Sequence, residues 1–250
     1  MRFNKYIVLL LALFVAFFAF DSIAFAQSMN IDLGKSTGGT ATAKLIQIVV
    51  LLTVISLAPS ILIMMTSFMR IIIVLSFLRS ALGLQQTPPN QVLISLALFM
   101  TMFIMAPAFE KSYNQGVKPL LEEKITEVEA LAKIGEPFHG FMMHHVRQKD
   151  LELFVSMSPD LKIETPEETP YKVLIPAFMI SELKRSFEIG FLIFIPFVVI
   201  DMLVASILMA MGMIQLPPVV ISLPFKLIFF VLVDGWYMVC GSLIKSFGTV

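Results

Sequence analysis

The stretch Ser67-Phe-Met-Arg70-Ile-Ile-Ile-Val-Leu-Ser-Phe-Leu-Arg79-Ser-Ala-Leu-Gly83-Leu-Gln-Gln-Thr-Pro88-Pro89-Asn90 places two arginines inside an apolar run that ends in glycine and paired prolines. Arginine is costly in hydrocarbon and is rarely placed there without a partner. At about 100° per residue, Arg70 and Arg79 fall on opposite sides of one helix and cannot share a polar stripe. Arg79, near the helix end, can snorkel toward a polar boundary. Arg70 lies about 13 Å further along by helical rise and needs a protein partner or a water-filled interior. Gly83 stops the helix and Pro88-Pro89 cannot continue it, so 83–90 reads as a turn.

Upstream, Leu45 to Phe68 is apolar and long enough to span a bilayer, with Pro59 as an expected kink. Helical character continuing to Leu82 would give about 40 residues and roughly 60 Å, twice the hydrocarbon thickness. That element must bend, break or project beyond the bilayer. Downstream, Val92 to Phe109 returns, with Pro107 near its end, which closes a first helical hairpin over 44–110. Val173 to Gly212, carrying Pro176 and Pro196, and Val219 to Phe247 form a second hairpin over 173–250.

The two hairpin turns match. Ala81-Leu-Gly83-Leu-Gln-Gln-Thr-Pro88-Pro89 aligns with Ala210-Met-Gly212-Met-Ile-Gln-Leu-Pro217-Pro218 at a constant offset of 129 residues. Each is followed closely by Ile-Ser-Leu. The expected fold is an all-α membrane protein built on an internally repeated pair of long, kinked hairpins. Shared turn chemistry alone is the plainer explanation, because Gly and Pro mark many turns.

Between the hairpins, residues 111–172 hold most of the charge. Lys118 to Ile134 spaces Leu121, Ile125, Val128, Leu131 and Ala132 as an amphipathic helix. Gly135-Glu-Pro137 is expected to break it, Phe138 to Met157 to form a second helix, and Ser158 to Pro170 to form a loop. This reads as a small helical insert.

Composition agrees. The chain is 58% hydrophobic and 14% charged, with a mean hydropathy of +0.89. A soluble domain is usually near 45–50% apolar and about 25% charged. The formal net charge is zero, which gives no electrostatic footprint for nucleic acid. The single cysteine, Cys240, excludes an internal disulfide.

The first 26 residues have the parts of a secretory signal peptide in order: basic Met1-Arg-Phe-Asn-Lys5, apolar Ile7 to Phe20, and Ala24-Phe-Ala26 before the expected cut. Asp21 and the short apolar core argue against an uncleaved anchor. A flexible lead over 27–43 would follow. The mature N-terminus then starts outside, both hairpin turns face the cytoplasm, and the insert is extracytoplasmic. Arg70 and Arg79 at the inner end agree with the positive-inside bias. Gly34-Lys-Ser36 imitates the end of a phosphate loop, but the motif needs a glycine where Met29 stands.

Charge inside the second hairpin includes Glu182, Lys184, Glu188, Asp201, Lys226 and Asp234. Ion pairs that fix helix register are the plain reading, with Lys226 expected to meet Glu182. A proton or ion relay through Asp201 and Asp234, or a polar pore lining, are the others. Met209, Met211 and Met213 crowd the second turn, where flexible thioethers could seal a gap and then deform; ordinary core or lipid-facing methionine is the alternative. His139, His144 and His145 share one helix without the i, i+4 pairing and neighbouring acid of a metal site. No nucleophile–base set or metal-ligand motif occurs, and no cofactor is implied.

Four blocks carry a family resemblance. Arg70 to Asn90 closely resembles the first signature of the FliP family of flagellar type III export-gate proteins. Pro176-Ala-Phe-Met-Ile-Ser-Glu182-Leu-Lys-Arg-Ser-Phe-Glu188-Ile-Gly-Phe191 resembles the second, and Leu223-Pro-Phe-Lys226-Leu-Ile-Phe-Phe-Val-Leu-Val-Asp234-Gly-Trp236 the C-terminal block. His145-Val-Arg-Gln-Lys-Asp-Leu-Glu-Leu-Phe154 is similar to the insert helix. The resemblance implies a pentamer joined by FliQ and FliR, largely above the inner membrane plane within the basal body, passing unfolded flagellar proteins. It implies arginines paired across helices and subunits. It also implies a methionine gasket, which here falls on Met213-Ile214-Gln215 with Met209 and Met211 just before it. The other readings of the residues are a small secondary transporter using Asp201, Asp234 and half-helices at Pro59 and Pro196, and a passive assembly scaffold.

Overall fold

The computed structural model describes residues 39–158, 168–213 and 215–248. The expected signal peptide, most of the polar lead, most of the Ser158–Pro170 loop and Ile214 lie outside the described residues. Every regular element among the described residues is helical. The chain divides into two compact units, Met1–Thr53 and Val54–Val250. The described part of the first is the start of α1 (Gly39–Met64), a helix that begins inside the stretch expected to be a flexible lead and runs through Pro59.

The long element expected from Leu45 to Leu82 breaks at residues 65–67. Thr66 makes the break. Its hydroxyl donates to the Ile63 carbonyl at 2.9 Å and accepts from the Phe68 amide at 3.4 Å, so local side-chain bonds replace the helical ladder. α2 (Phe68–Ala81) then restarts and buries Arg70, Ile71, Val74, Leu75, Leu78 and Ala81 along one stripe.

α2 ends at Gly83 and α7 (Tyr171–Ala210) at Gly212 with one hydrogen-bond pattern. The Gly83 amide bonds the Ser80 carbonyl and the Leu84 amide the Arg79 carbonyl; Gly212 bonds Met209 and Met213 bonds Leu208 in the same way. The two glycines have φ of +79° and +73°. This is the capping turn in which the residue past the helix is left-handed, a conformation glycine adopts without steric penalty. The two helices therefore end in the same glycine cap, although the Thr87-Pro88 bond of the first turn is cis and no cis bond stands at Leu216-Pro217.

α3 (Asn90–Ser112) returns beside α2 through Pro107. A π-helical turn, Tyr113–Val117, joins it to the short α4 (Lys118–Leu121). The whole is a 32-residue helix, Asn90–Leu121, long and apolar enough to cross a membrane. Lys118–Leu121 thus continues the returning helix, and the single helix expected from Lys118 to Ile134 is interrupted before Glu127.

α5 (Glu127–His145) starts with the Thr126 side chain capping the Glu129 amide and runs straight across Gly135-Glu-Pro137, where a break was expected. Proline removes one backbone bond there. Phe138 and Met142, buried with Met65, Met105, Leu174 and Phe178, hold the next turn in place. The break falls later, at Val146-Arg147, before α6 (Gln148–Ser156).

α7 is unbroken over 40 residues despite Pro176 and Pro196. By helical rise it reaches about 60 Å, so Pro196 does not divide it into half-helices. It lies against α2 so closely that a Cβ on Gly190 would sit 2.4 Å from the Phe77 ring. The return expected as one helix is two, α8 (Pro218–Leu232) and α9 (Gly235–Lys245), bent by 62°. Asp234, left-handed at φ +51°, makes the corner. Two clusters fill the space around α2: Ile71, Val74 and Leu75 with Leu93, Ala97 and Leu243, and Leu78 and Leu82 with Phe197 and Phe230.

Candidate functional site: charge clamps and the methionine turn

Arg70 is 1% exposed and Glu182 is fully buried. The guanidinium donates through Nε, at 2.7 Å, and Nη2 to the two Glu182 oxygens. Nη1 donates to the Ser246 carbonyl at 3.1 Å and the Ser246 Oγ at 2.9 Å. Its Cζ lies 3.7 Å from the centroid of the Phe247 ring. Arg70 therefore joins α2, α7 and the end of α9 at one point. The fork geometry suits a carboxylate on one edge and the cation suits an aromatic face. Ser186 is buried one turn beyond Glu182, and its hydroxyl donates to the Glu182 carbonyl at 2.7 Å.

Lys226 does not meet Glu182, which Arg70 already occupies. Its Nζ donates to Asp201 at 2.7 Å and to the Ala81 carbonyl at 3.3 Å. Ser222 donates to the other Asp201 oxygen. The clamp ties α8 to α7 and places a cation on the C-terminal carbonyls of α2, where the helix dipole favours one.

Arg79, opposite Arg70 on α2, reaches across the first turn to the Pro88 carbonyl at 3.2 Å and to Asn90 Oδ1 at 2.6 Å. Lys184 and Glu188 are both exposed and 3.6 Å apart, a solvent-facing pair. Asp234 is also exposed. These three acids and bases are not part of the buried set. Asp201 is held by Lys226 and Ser222, whereas Asp234 stands exposed at the corner between α8 and α9.

A third clamp escaped the sequence reading. Arg147 donates through Nε and Nη2 to Asp150 at 2.8 and 2.7 Å. The Ser181 hydroxyl faces Asp150 at 2.6 Å and accepts from the Arg147 amide at 3.0 Å. Burial pushes the Asp150 carboxyl up, but the Ser181 hydroxyl and the Arg147 guanidinium outweigh it and hold the group below its ordinary value. Ser181 and Glu182 are adjacent on α7, so consecutive residues hold the insert and α2. The signal was present: an Arg-x-x-Asp start to a helix and a serine beside the buried glutamate.

Both ring nitrogens of His145 face carbonyl oxygens, Phe141 at 2.8 Å and Phe247 at 3.2 Å. A neutral imidazole carries one N–H, so it donates to one of them at a time. Burial pushes the ring's pKa down; the two carbonyls oppose this, and Arg70 reinforces it. His139 bonds the Thr169 carbonyl at 2.7 Å.

At the second turn, Met209, Met211 and Met213 are exposed by 68%, 62% and 42%. Gln215 is exposed with them. None is packed into the chain's own core.

Long apolar helices locked by internal charge clamps define an all-helical chain of membrane-protein character. Two described helices are long and apolar enough to cross a membrane, three if the bent pair is one span. The profile of the FliP family matches residues 51–243. The chain is similar to the flagellar biosynthetic protein FliP of Caulobacter vibrioides, 60% identical over 225 residues that cover 90% of this chain and 84% of that protein. It is 53% identical to the FliP of Bacillus subtilis over 217 residues, 87% of this chain and 98% of that one. With the FliP of Rhizobium meliloti the identity is 48% over 236 residues, 93% and 96% of the two chains. The chain belongs to the FliP family.

Proposed function

We propose that this chain is a subunit of the flagellar protein export gate, a gated pore that passes unfolded flagellar proteins across the bacterial inner membrane without covalent chemistry. Family membership and the names of its relatives, flagellar biosynthetic proteins, support a role in the flagellar export apparatus. The observation that carries the finer reading is the second turn: exposed methionines at the end of a 40-residue helix whose own chain leaves them uncovered. Flexible thioethers from several copies meeting on an axis would form a deformable seal.

In this reading the leader, residues 1–26, is removed, the insert over 111–172 lies on the periplasmic side, and several copies, five by the family pattern, join FliQ and FliR. The two hairpins, 44–110 and 173–250, form the wall as copies of one duplicated unit. Met209, Met211, Met213, Ile214 and Gln215 line the closed constriction. Arg70–Glu182 and Lys226–Asp201 fix helix register, and Arg79, Lys184, Glu188 and Asp234 are available to neighbouring subunits.

The test is conductance. Deleting Met213–Gln215 in the assembled complex should make membranes leaky to small ions while assembly persists. Unchanged conductance in an intact assembly would contradict the seal. The transporter reading is weaker, because Asp201 is already held by Lys226 and Ser222 and α7 has no break at Pro196.

A further inference from the structure

A half-open cavity of about 890 Å³ lies where the apolar part of α3 ends against α5. Ile104, Pro107 and Ala108 on α3, with Phe247, give it an apolar wall; Lys111 and Glu136 stand on its rim. The bond from Ser112 Oγ to the Ile134 carbonyl, 2.8 Å, sets the register of α3 against α5. Lys111 and Glu136 flank that bond, so opposite charges stand at one level on facing helices. Yet no ion pair or side-chain hydrogen bond among the described residues engages either one. Both line the cavity, Lys111 from α3 and Glu136 from α5.

The polarity has a direction. α3 is uncharged from Asn90 to Phe109 and charged at Glu110 and Lys111. The cavity straddles that change, with Ile104, Pro107 and Ala108 on the uncharged side of it. A pocket of this size is in the range of small-molecule sites. A ligand that satisfies it carries an anion and a cation a few bonds apart at one end and hydrocarbon at the other.

We propose that this cleft binds one zwitterionic phospholipid of the phosphatidylethanolamine type, with its phosphate on Lys111, its ammonium on Glu136 and an acyl chain along Ile104, Pro107 and Ala108. A primary ammonium donates hydrogen bonds to a carboxylate, which a trimethylammonium cannot do. A phosphatidylglycerol headgroup leaves Glu136 facing a neutral hydroxyl. The inference does not rest on the gate reading; it needs only a membrane interface at the level of Lys111, where charge enters the helix.

The test uses the full-length chain in nanodiscs containing equimolar phosphatidylethanolamine, phosphatidylglycerol and phosphatidylcholine, with retained lipid counted by native mass spectrometry after release into mild detergent. Phosphatidylethanolamine should be retained preferentially. Lys111→Gln should weaken retention of all three about fivefold, the loss of one charge-assisted contact of about 1 kcal/mol. Lys111→Arg should keep it. Glu136→Gln should erase the preference over phosphatidylcholine while leaving phosphate-dependent retention. Equal retention of the three lipids would overturn the proposal. So would a preference untouched by either variant, or displacement of the lipid by millimolar inorganic phosphate, which would mark a free-phosphate site. Both side chains are exposed, so the variants should fold, and a monodisperse elution with unchanged circular dichroism checks that they do.

Discussion

Arg70 shows how a charge can be carried inside an apolar chain: each edge of its guanidinium has a partner and its face has a ring. Such a pair contributes little net stability, because desolvation offsets the attraction, but it is costly to break. Arg70→Ala should destabilise the chain by roughly 3–5 kcal/mol, since it strands Glu182. Arg70→Met with Glu182→Leu should recover most of that loss in denaturant unfolding. If the double variant is as unstable as the single one, the pair is a stability device and not a register device. Two other groups make stability depend on pH. Asp150 is held below its ordinary value, so its contribution is present above the usual carboxylate range and is lost as pH falls through the lowered one. Asp150→Asn should be less stable than the parent at neutral pH and converge with it in acid. His145 is also lowered, so the folded state resists charging, and stability should fall as pH drops below the free-imidazole value of about 6.5. His145→Gln should remove that slope; an unchanged slope in thermal melts from pH 7 to 5 would show that another group titrates.

At the scale of elements, α7 is the spine, and its close contact with α2 depends on the missing side chain at Gly190. Gly190→Ala should cost about 1–3 kcal/mol by overpacking against Phe77, a loss that Phe77→Leu should partly relieve in the same melt. The turns were legible because their chemistry is local: Gly83 and Gly212 announce the left-handed cap within a few residues. The break at Thr66 was not, because the two local bonds of one hydroxyl decide it inside a run whose length argued only that something must give. Pro137 misled in the other direction, since packing of Phe138 and Met142 outweighs one lost backbone bond. The charges themselves were legible, but not their pairing. Arg70 and Glu182 are 112 residues apart in sequence, and whether Glu182 takes Arg70 or Lys226 depends on how far α7 slides past α2 and α8. Asp234-Gly235 carried an ordinary breaker signal that the apolar run around it concealed.

For the whole molecule, the exposed apolar surface is the dominant fact. Phe187, Phe191 and Leu192 on α7, Val231 and Leu232 on α8 and Tyr237 on α9 all face outward. Hydrocarbon or other subunits must cover them, and a 40-residue helix of about 60 Å exceeds what one bilayer core covers. In the gate account neighbouring chains cover this surface and enclose the pore that one chain's helices are too few to surround. Native mass of the full chain, purified alone and then with FliQ and FliR co-expressed, tests this most directly. The account predicts a discrete assembly of about five copies that gains mass when the partners are present, the closed ring expected of a heterologous interface. A stable monomer or dimer in both preparations would contradict it.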